Sequence, residues 1–366
     1  VYVDMARAYV TVGLKDKAEK LMRMALYLDP KNRFVARAAA RFYIHIGDNE
    51  RAAEIVRKTG LSRFDPWLMA SDISIAMMRG KRSGNIKKGQ QMIFSSSYTP
   101  FSISELASAL GTVEMEYGTR KKSRDLFNQS LVDPNDNSLA QAEWAMISAR
   151  IPITIQSGLN VKCSHESKVY KALELNDARE SIHHAIDWIC DMPFSLKPVF
   201  IGYEISTSLL RDYDLSSNIL GVGLKSHPND PWMLNNRAYV NARINKLDEA
   251  AKDMEQLEHC NKALSESMSI CKEATHGLIA YRRKDREKGQ KLYEQAILHA
   301  SALKENSDEV KIKAQINMLR EEIIFSNYQN TSALMELEQL AIPNEKLELI
   351  NLRNEVFDEL KMSEKI

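Results

Sequence analysis

Three sets of residues have types that could do chemistry: Cys163 with His165 in the run Cys-Ser-His-Glu, the neighbours His183 and His184, and Cys260, Cys271 and His276. A Cys/His nucleophile pair needs a third group to orient the imidazole and donors to hold an oxyanion. Neither is visible around Cys163, so this run reads as a polar loop. Adjacent residues on a helix point to different faces, which makes His183 and His184 a poor metal pair. Cys260, Cys271 and His276 fit no common zinc spacing. The chain has no GxxxxGK[ST], HExxH, GxSxG or GxGxxG run. The expectation is no catalytic residue, no metal, no cofactor and no enzymatic activity.

The elements that carry these residues read as helices. Of 366 residues, 44% are apolar and 27% charged, a folded, soluble balance. Only 14 glycines and 10 prolines are present, too few turn formers for a β sandwich or barrel. A formal net charge of +1 gives no global attraction to nucleic acid or anionic lipid. The four cysteines show no CxxC spacing and read as reduced thiols, so the expected compartment is the cytoplasm. No apolar run reaches the length of a membrane span. Val1 already stands in a helical pattern, which predicts further sequence upstream.

The prolines keep time. Pro30, Pro66, Pro100 and Pro134 follow one another at 36, 34 and 34 residues, and Pro231 lies 33 after Pro198. A period of this size indicates stacked units. Ala6, Tyr9, Gly13, Ala18, Met22 and Ala25 recur in phase as Ala40, Tyr43, Gly47, Ala52, Val56 and Thr59, and again near Gly111, Ile205 and Gly277. Each unit reads as two helices with a turn near Gly13, Gly47 or Gly118, where a left-handed C-terminal cap favours glycine. Small residues let the paired helices approach, and larger ones fill the space beside them. Asp29, Asp65, Asp133 and Asp230 stand where a helix stops and the next could be capped. Trp67, Trp144, Trp188 and Trp232 read as core.

This phasing of small, aromatic, glycine, alanine and proline positions resembles the tetratricopeptide repeat. The resemblance covers residues 1–300, with units near 1–30, 33–60, 66–97, 100–132, 137–192 (with an insert), 197–226, 230–260 and 268–300. It implies an all-α, right-handed α-α superhelix of about eight helix pairs. Residues 301–366 are expected to form a helical C-terminal cap. Two departures stand out: a lengthened turn over 79–89 and the insert after Pro152.

The resemblance further implies a protein-interaction scaffold. The first helix of each unit would line a concave face, presenting Arg7, Arg37, Arg41 and His45, then Arg237 and Asn241 in the seventh unit and Tyr281 in the eighth. The Lys/Asn carboxylate clamp of some relatives is not reproduced, since Val3 and Arg7 hold two of its positions. The expected partner is another protein, through an acidic segment or a domain. A second candidate surface is a basic edge of turn residues: Lys81, Arg82, Lys87, Lys88, Arg120, Lys121, Lys122, Arg124, Arg282 and Arg283. Two other readings compete. The array could be the regulatory arm of a nuclease or protease encoded upstream or on a partner, or a helical-repeat RNA-binding protein. Leu68, Ala145 and Leu209 at groove positions weigh against RNA, leaving nucleic acid the less favoured partner, and no membrane partner is expected.

Overall fold

The structure, a computed structural model, describes residues 1–95, 97–155, 161–260, 264–304, 307–342 and 346–363. Part of the insert after Pro152 therefore lies outside the described residues. No strand occurs among those described, and no described helix is long and apolar enough to cross a membrane. The chain divides into two units, Val1–Pro198 and Val199–Ile366.

The first unit begins with helix pairs α1 (Tyr2–Thr11) with α2 (Lys15–Leu28) and α3 (Arg33–His45) with α4 (Asn49–Lys58). Two more follow, α5 (Pro66–Met78) with α6 (Ile86–Ile93) and α7 (Pro100–Tyr117) with α8 (Arg120–Ser130). Then come α9 (Asp136–Ala149), α10 (His165–Glu174) and α11 (Ala178–Asp191). Ala6, Ala18, Met22, Ala40, Tyr43, Ala52 and Val56, the residues that repeat in phase, are buried together in one core cluster. Helical pairing thus follows from the 3–4 spacing of apolar residues and the small positions that let backbones close. A Cβ on Gly111 would stand 3.1 Å from the Phe127 ring, which shows how tightly the small and large positions mesh.

Gly13 and Gly47 take left-handed φ angles of 75° and 84° at their turns, whereas Gly118 does not. At the corresponding turns of later hairpins Asn176, Arg211, Asn245 and Lys284 occupy the left-handed region instead. Asp65 and Asp230 cap the helices that follow them. Asp29 and Asp133 do not: Asn32 caps α3, and Asn135 caps α9 through a reciprocal box with Ser138.

The long turn of the third pair spans 79–85, because residues 86–89 already form the first turn of α6. There a Cβ on Gly89 would lie 3.2 Å from both Leu110 and Met69, a packing contact rather than a loop feature. The doubled spacing after Pro134 has a different origin from a single interrupted unit. Helix α9 packs on α7, α8 and α10, and the segment after it tucks Ile151 and Ile153 against Phe127, Leu139, Ala142 and Ala145. Helices α10 and α11 then form a hairpin of their own around Asn176.

The second unit holds α12 (Leu196–Glu204, starting just before it), which runs into a π-helical turn, Ile205–Leu209, and α13 (Tyr213–Ser226). The pairs α14 (Pro231–Arg243) with α15 (Leu247–Glu258) and α16 (Glu266–Arg282) with α17 (Arg286–Ser301) follow. A Cβ on Gly277 would meet the Tyr293 ring at 2.9 Å, and one on Gly289 the Tyr281 ring at 2.5 Å. The tail is more than a closing helix. Helices α18 (Ser307–Phe325) and α19 (Thr331–Gln339) make a further hairpin through left-handed Asn327 and Tyr328. Helix α20 (Leu347–Ser363) then folds back, burying Leu349 and Val356 against Ile312, Ile316, Leu319 and Ile323.

Candidate protein-binding groove

In the first unit α1, α3, α5, α7 and α9 line a cavity of about 510 Å³, closed at one side by Asp191 at the end of α11 and by Met192 and Phe194 just after it. A second cavity of about 330 Å³ shares Arg37, Arg41, Glu105 and Asn137 with it, so the groove continues along α5, α7 and α9. Arg7, Arg37, Arg41 and His45 all line the larger cavity. Arg37, Arg41 and His45 lie on successive turns of α3, and Arg7 lies on α1.

These cations are not equivalent. Arg37 donates to Glu105 Oε2 at 2.6 Å, and its guanidinium lies 4.9 Å from the Trp67 ring centre. Glu105 in turn accepts from Asn135 and Asn137 at 2.7 and 2.9 Å, so α3, α7 and the start of α9 are pinned together through one carboxylate. Arg41 is exposed and lies near Asp136, whose carboxyl is raised by burial, an effect that Arg41 opposes. Arg7 is exposed, and the Phe194 ring centre lies 5.9 Å from its guanidinium. His45 meets the same Phe194 ring edge-on at 5.9 Å. Trp67 packs edge-to-face on Phe101 at 5.5 Å. Trp67 thus serves both the core and the groove wall, and Trp188 is buried, but Trp232 is 40% exposed and is not core.

The second unit corrects three expected groove residues. Arg237 makes two hydrogen bonds to Asp253, at 2.9 and 2.5 Å, inside its own helix pair. Asn241 is buried and accepts a bond from Ser217 on α13. Tyr281 is buried and donates to Glu322 on α18 at 2.5 Å. Sequence offsets place these residues on the first helices, but neighbouring helices cover Asn241 and Tyr281, and Arg237, 28% exposed, is committed to Asp253. Leu68 and Ala145 are likewise buried, so they are core rather than groove.

Helix α20 packs on α18 and on the π-helical turn of this unit. Its Glu355 accepts from Arg243 at 2.5 Å and from Tyr213 at 2.7 Å, and Asp358 accepts from Arg211 at 2.7 Å. Arg320 adds a 2.7 Å bond to Glu359. The Arg243 guanidinium also lies 4.3 Å from the Tyr213 ring centre.

The basic edge is partly neutralised from within. Lys81, with Arg79, pairs with Glu50; Arg120 donates to the carbonyls of Ala149 and Arg150; Arg124 pairs with Asp125. Lys88 sits 4.3 Å from the Phe64 ring centre. Arg282 is a correction: its side chain is 12% exposed and bonds Glu321 at 2.7 Å, so it belongs to the packing of α16 on α18. Arg283 stands 4.0 Å from Asp248. Arg82, Lys87, Lys121 and Lys122 are exposed.

Among the described residues one group of three could hold a metal ion: His165, His184 and Asp187, with ligand atoms within 4.8 Å of one another. Cys260, Cys271 and His276 form no such group. In sequence His165 falls in a polar run and His184 beside a differently directed His183; the structure places His165 at the start of α10, and Asp187, three residues beyond His184 on the same helix, is the sequence signal for the group.

These helix pairs define the class: an all-α array of tetratricopeptide-like hairpins. No protein-family model matches the chain, and no curated protein matches it. Among solved structures it is similar to a tetratricopeptide repeat protein from Parabacteroides merdae, at 14% identity over 76% of this chain and 97% of that one, with a TM-score of 0.32. It is also similar to yeast Tom70, at 12% identity over 98% and 89% of the two chains, with a TM-score of 0.36. A chain of the Cut9–Hcn1 hetero-tetramer matches at 10% identity over 98% and 90%, also with a TM-score of 0.36.

Proposed function

We propose that the chain is a binding scaffold, not an enzyme, and that the groove of the first unit takes a segment of another protein carrying an acidic group beside an aromatic residue. One observation carries the reading. The chain sets a segment of that composition, Asp191 to Phe194, into the groove, with the Phe194 ring against Arg7 and His45. Arg41 and Arg7 offer guanidinium forks for a carboxylate. Phe34, Trp67 and Phe101 offer the apolar contact that gives an interface its anchors. Glu105, a carboxylate of this site, is committed to Arg37 and two asparagines, which suits a structural role rather than proton transfer. The cytoplasm is the compartment we propose, supported by four unbridged cysteines, two of them exposed.

The test is capture of partners by the intact protein, with an Arg7→Glu/Arg41→Glu variant as control. Both sites are exposed, so the variant should melt with the wild type. The proposal expects the captured protein to bind the variant at least tenfold more weakly. Equal binding, with an unchanged melting temperature, would exclude this groove.

A further inference from the structure

The α10–α11 hairpin brings the first residue of α10, His165, beside the second half of α11, where His184 and Asp187 stand one turn apart. Ring nitrogens and a carboxylate oxygen from these three converge within 4.8 Å. Nδ1 of His165 and Nδ1 of His184 are both closed off from solvent, with no hydrogen-bond partner among the described residues. A buried polar atom without a partner is uncommon in folded proteins and calls for a reason.

Two further contacts give one. Nε2 of His184 lies 3.0 Å from Glu180, a carboxylate that favours the ring proton on Nε2 and hence a lone pair on Nδ1. Metal-bound histidines are oriented in this way, by a carboxylate on the nitrogen that does not bind. Asp187 Oδ2 stands 3.9 Å from His165 Nδ1 and 3.7 Å from His183 Nε2, so the carboxylate lies between imidazoles.

We propose that His165, His184 and Asp187 bind one divalent transition-metal ion of the zinc type. Two imidazoles and a carboxylate suit zinc, cobalt or nickel, whereas calcium and magnesium take oxygen ligands. Zinc bonds of about 2.0–2.1 Å bring ligand atoms to roughly 3.3 Å from one another in a tetrahedron, so small side-chain rotations complete the site. The side chains of His165, His184 and Asp187 are 22%, 15% and 42% exposed, so the rotations that complete the site also admit a water as fourth ligand. Bound there, the ion ties the start of α10 to α11. This site stands independently of the proposed groove function.

The experiment uses the full chain stripped of metal by a chelator. Zinc is titrated calorimetrically, and cobalt(II) is followed by its visible spectrum. The proposal expects one equivalent bound, a higher melting temperature with zinc, and a cobalt spectrum without the intense near-ultraviolet band of a thiolate ligand. His184→Ala and the milder Asp187→Asn should each abolish stoichiometric binding. Glu180→Ala should weaken it about ten- to a hundredfold, and Cys163→Ser should leave it unchanged. Absence of stoichiometric zinc binding by the wild-type chain would overturn the site. So would wild-type affinity in both the His184 and Asp187 variants, or a thiolate band lost in Cys163→Ser.

Discussion

Arg37 and Arg41 are one turn apart on α3 and do different work. Arg37 bridges to Glu105 and stacks on Trp67, so its loss leaves a half-buried carboxylate with fewer donors. Arg37→Ala should lower stability by roughly 1–3 kcal/mol, while Arg41→Ala should stay within about 0.5 kcal/mol; chemical denaturation of the two variants checks the contrast. Glu143 on α9 gives a pH signature. Burial raises its carboxyl from 4.5 to about 7, with Glu166 and Glu174 adding to the effect and Ser167 and Lys171 opposing it. Between those values the folded chain keeps a proton that the unfolded chain has lost. Stability therefore falls as pH rises from about 4.5 to about 7 and then levels, by a loss on the order of 3 kcal/mol. Glu143→Gln should flatten that slope in melts run across the same range. Arg7, Arg37, Arg41 and His45 could be selected from repeat phase because α1 and α3 keep the phase strictly. Glu105, Phe101 and Phe194 could not, since they arrive from helices and a loop far along the chain.

At the scale of elements, the pairing of helices rests on small residues facing rings. Gly289→Ala tests this, because its Cβ would come 2.5 Å from Tyr281. The better helix propensity of alanine returns about 1 kcal/mol. Displacing a buried ring costs about 1–3 kcal/mol, and Tyr281 is also hydrogen-bonded to Glu322, so net destabilisation is expected in thermal melts. The early pairs were legible because glycine and proline punctuate them. The α10–α11 hairpin was not, because Asn176 rather than a glycine makes its turn. Helix α9, set before that hairpin, hid it by shifting the count. The α18–α19 hairpin was obscured likewise, as Asn327 and Tyr328 supply the left-handed turn.

For the molecule as a whole, repeat arrays are held by neighbour contacts, so what closes an array matters. In the second unit α20 closes it through charge as well as apolar burial. Arg243 and Glu355 are 1% and 8% exposed, and each depends on the other. Glu355→Ala should cost about 3–5 kcal/mol by stranding the buried guanidinium. Hydrogen exchange should show the loss in α13, α14 and α20 first. A terminal helix was legible from its apolar spacing, but its return onto α14 and the π-helical turn was not, because pairing across more than a hundred residues leaves no local pattern. The first unit keeps its groove open between two exposed arginines and an aromatic wall. Hydrogen exchange on the intact protein with its captured partner tests that surface most directly. The groove account predicts protection concentrated in α1, α3, α5 and α7. Protection confined to residues 79–89 and 119–124, with those four helices unchanged, would contradict it.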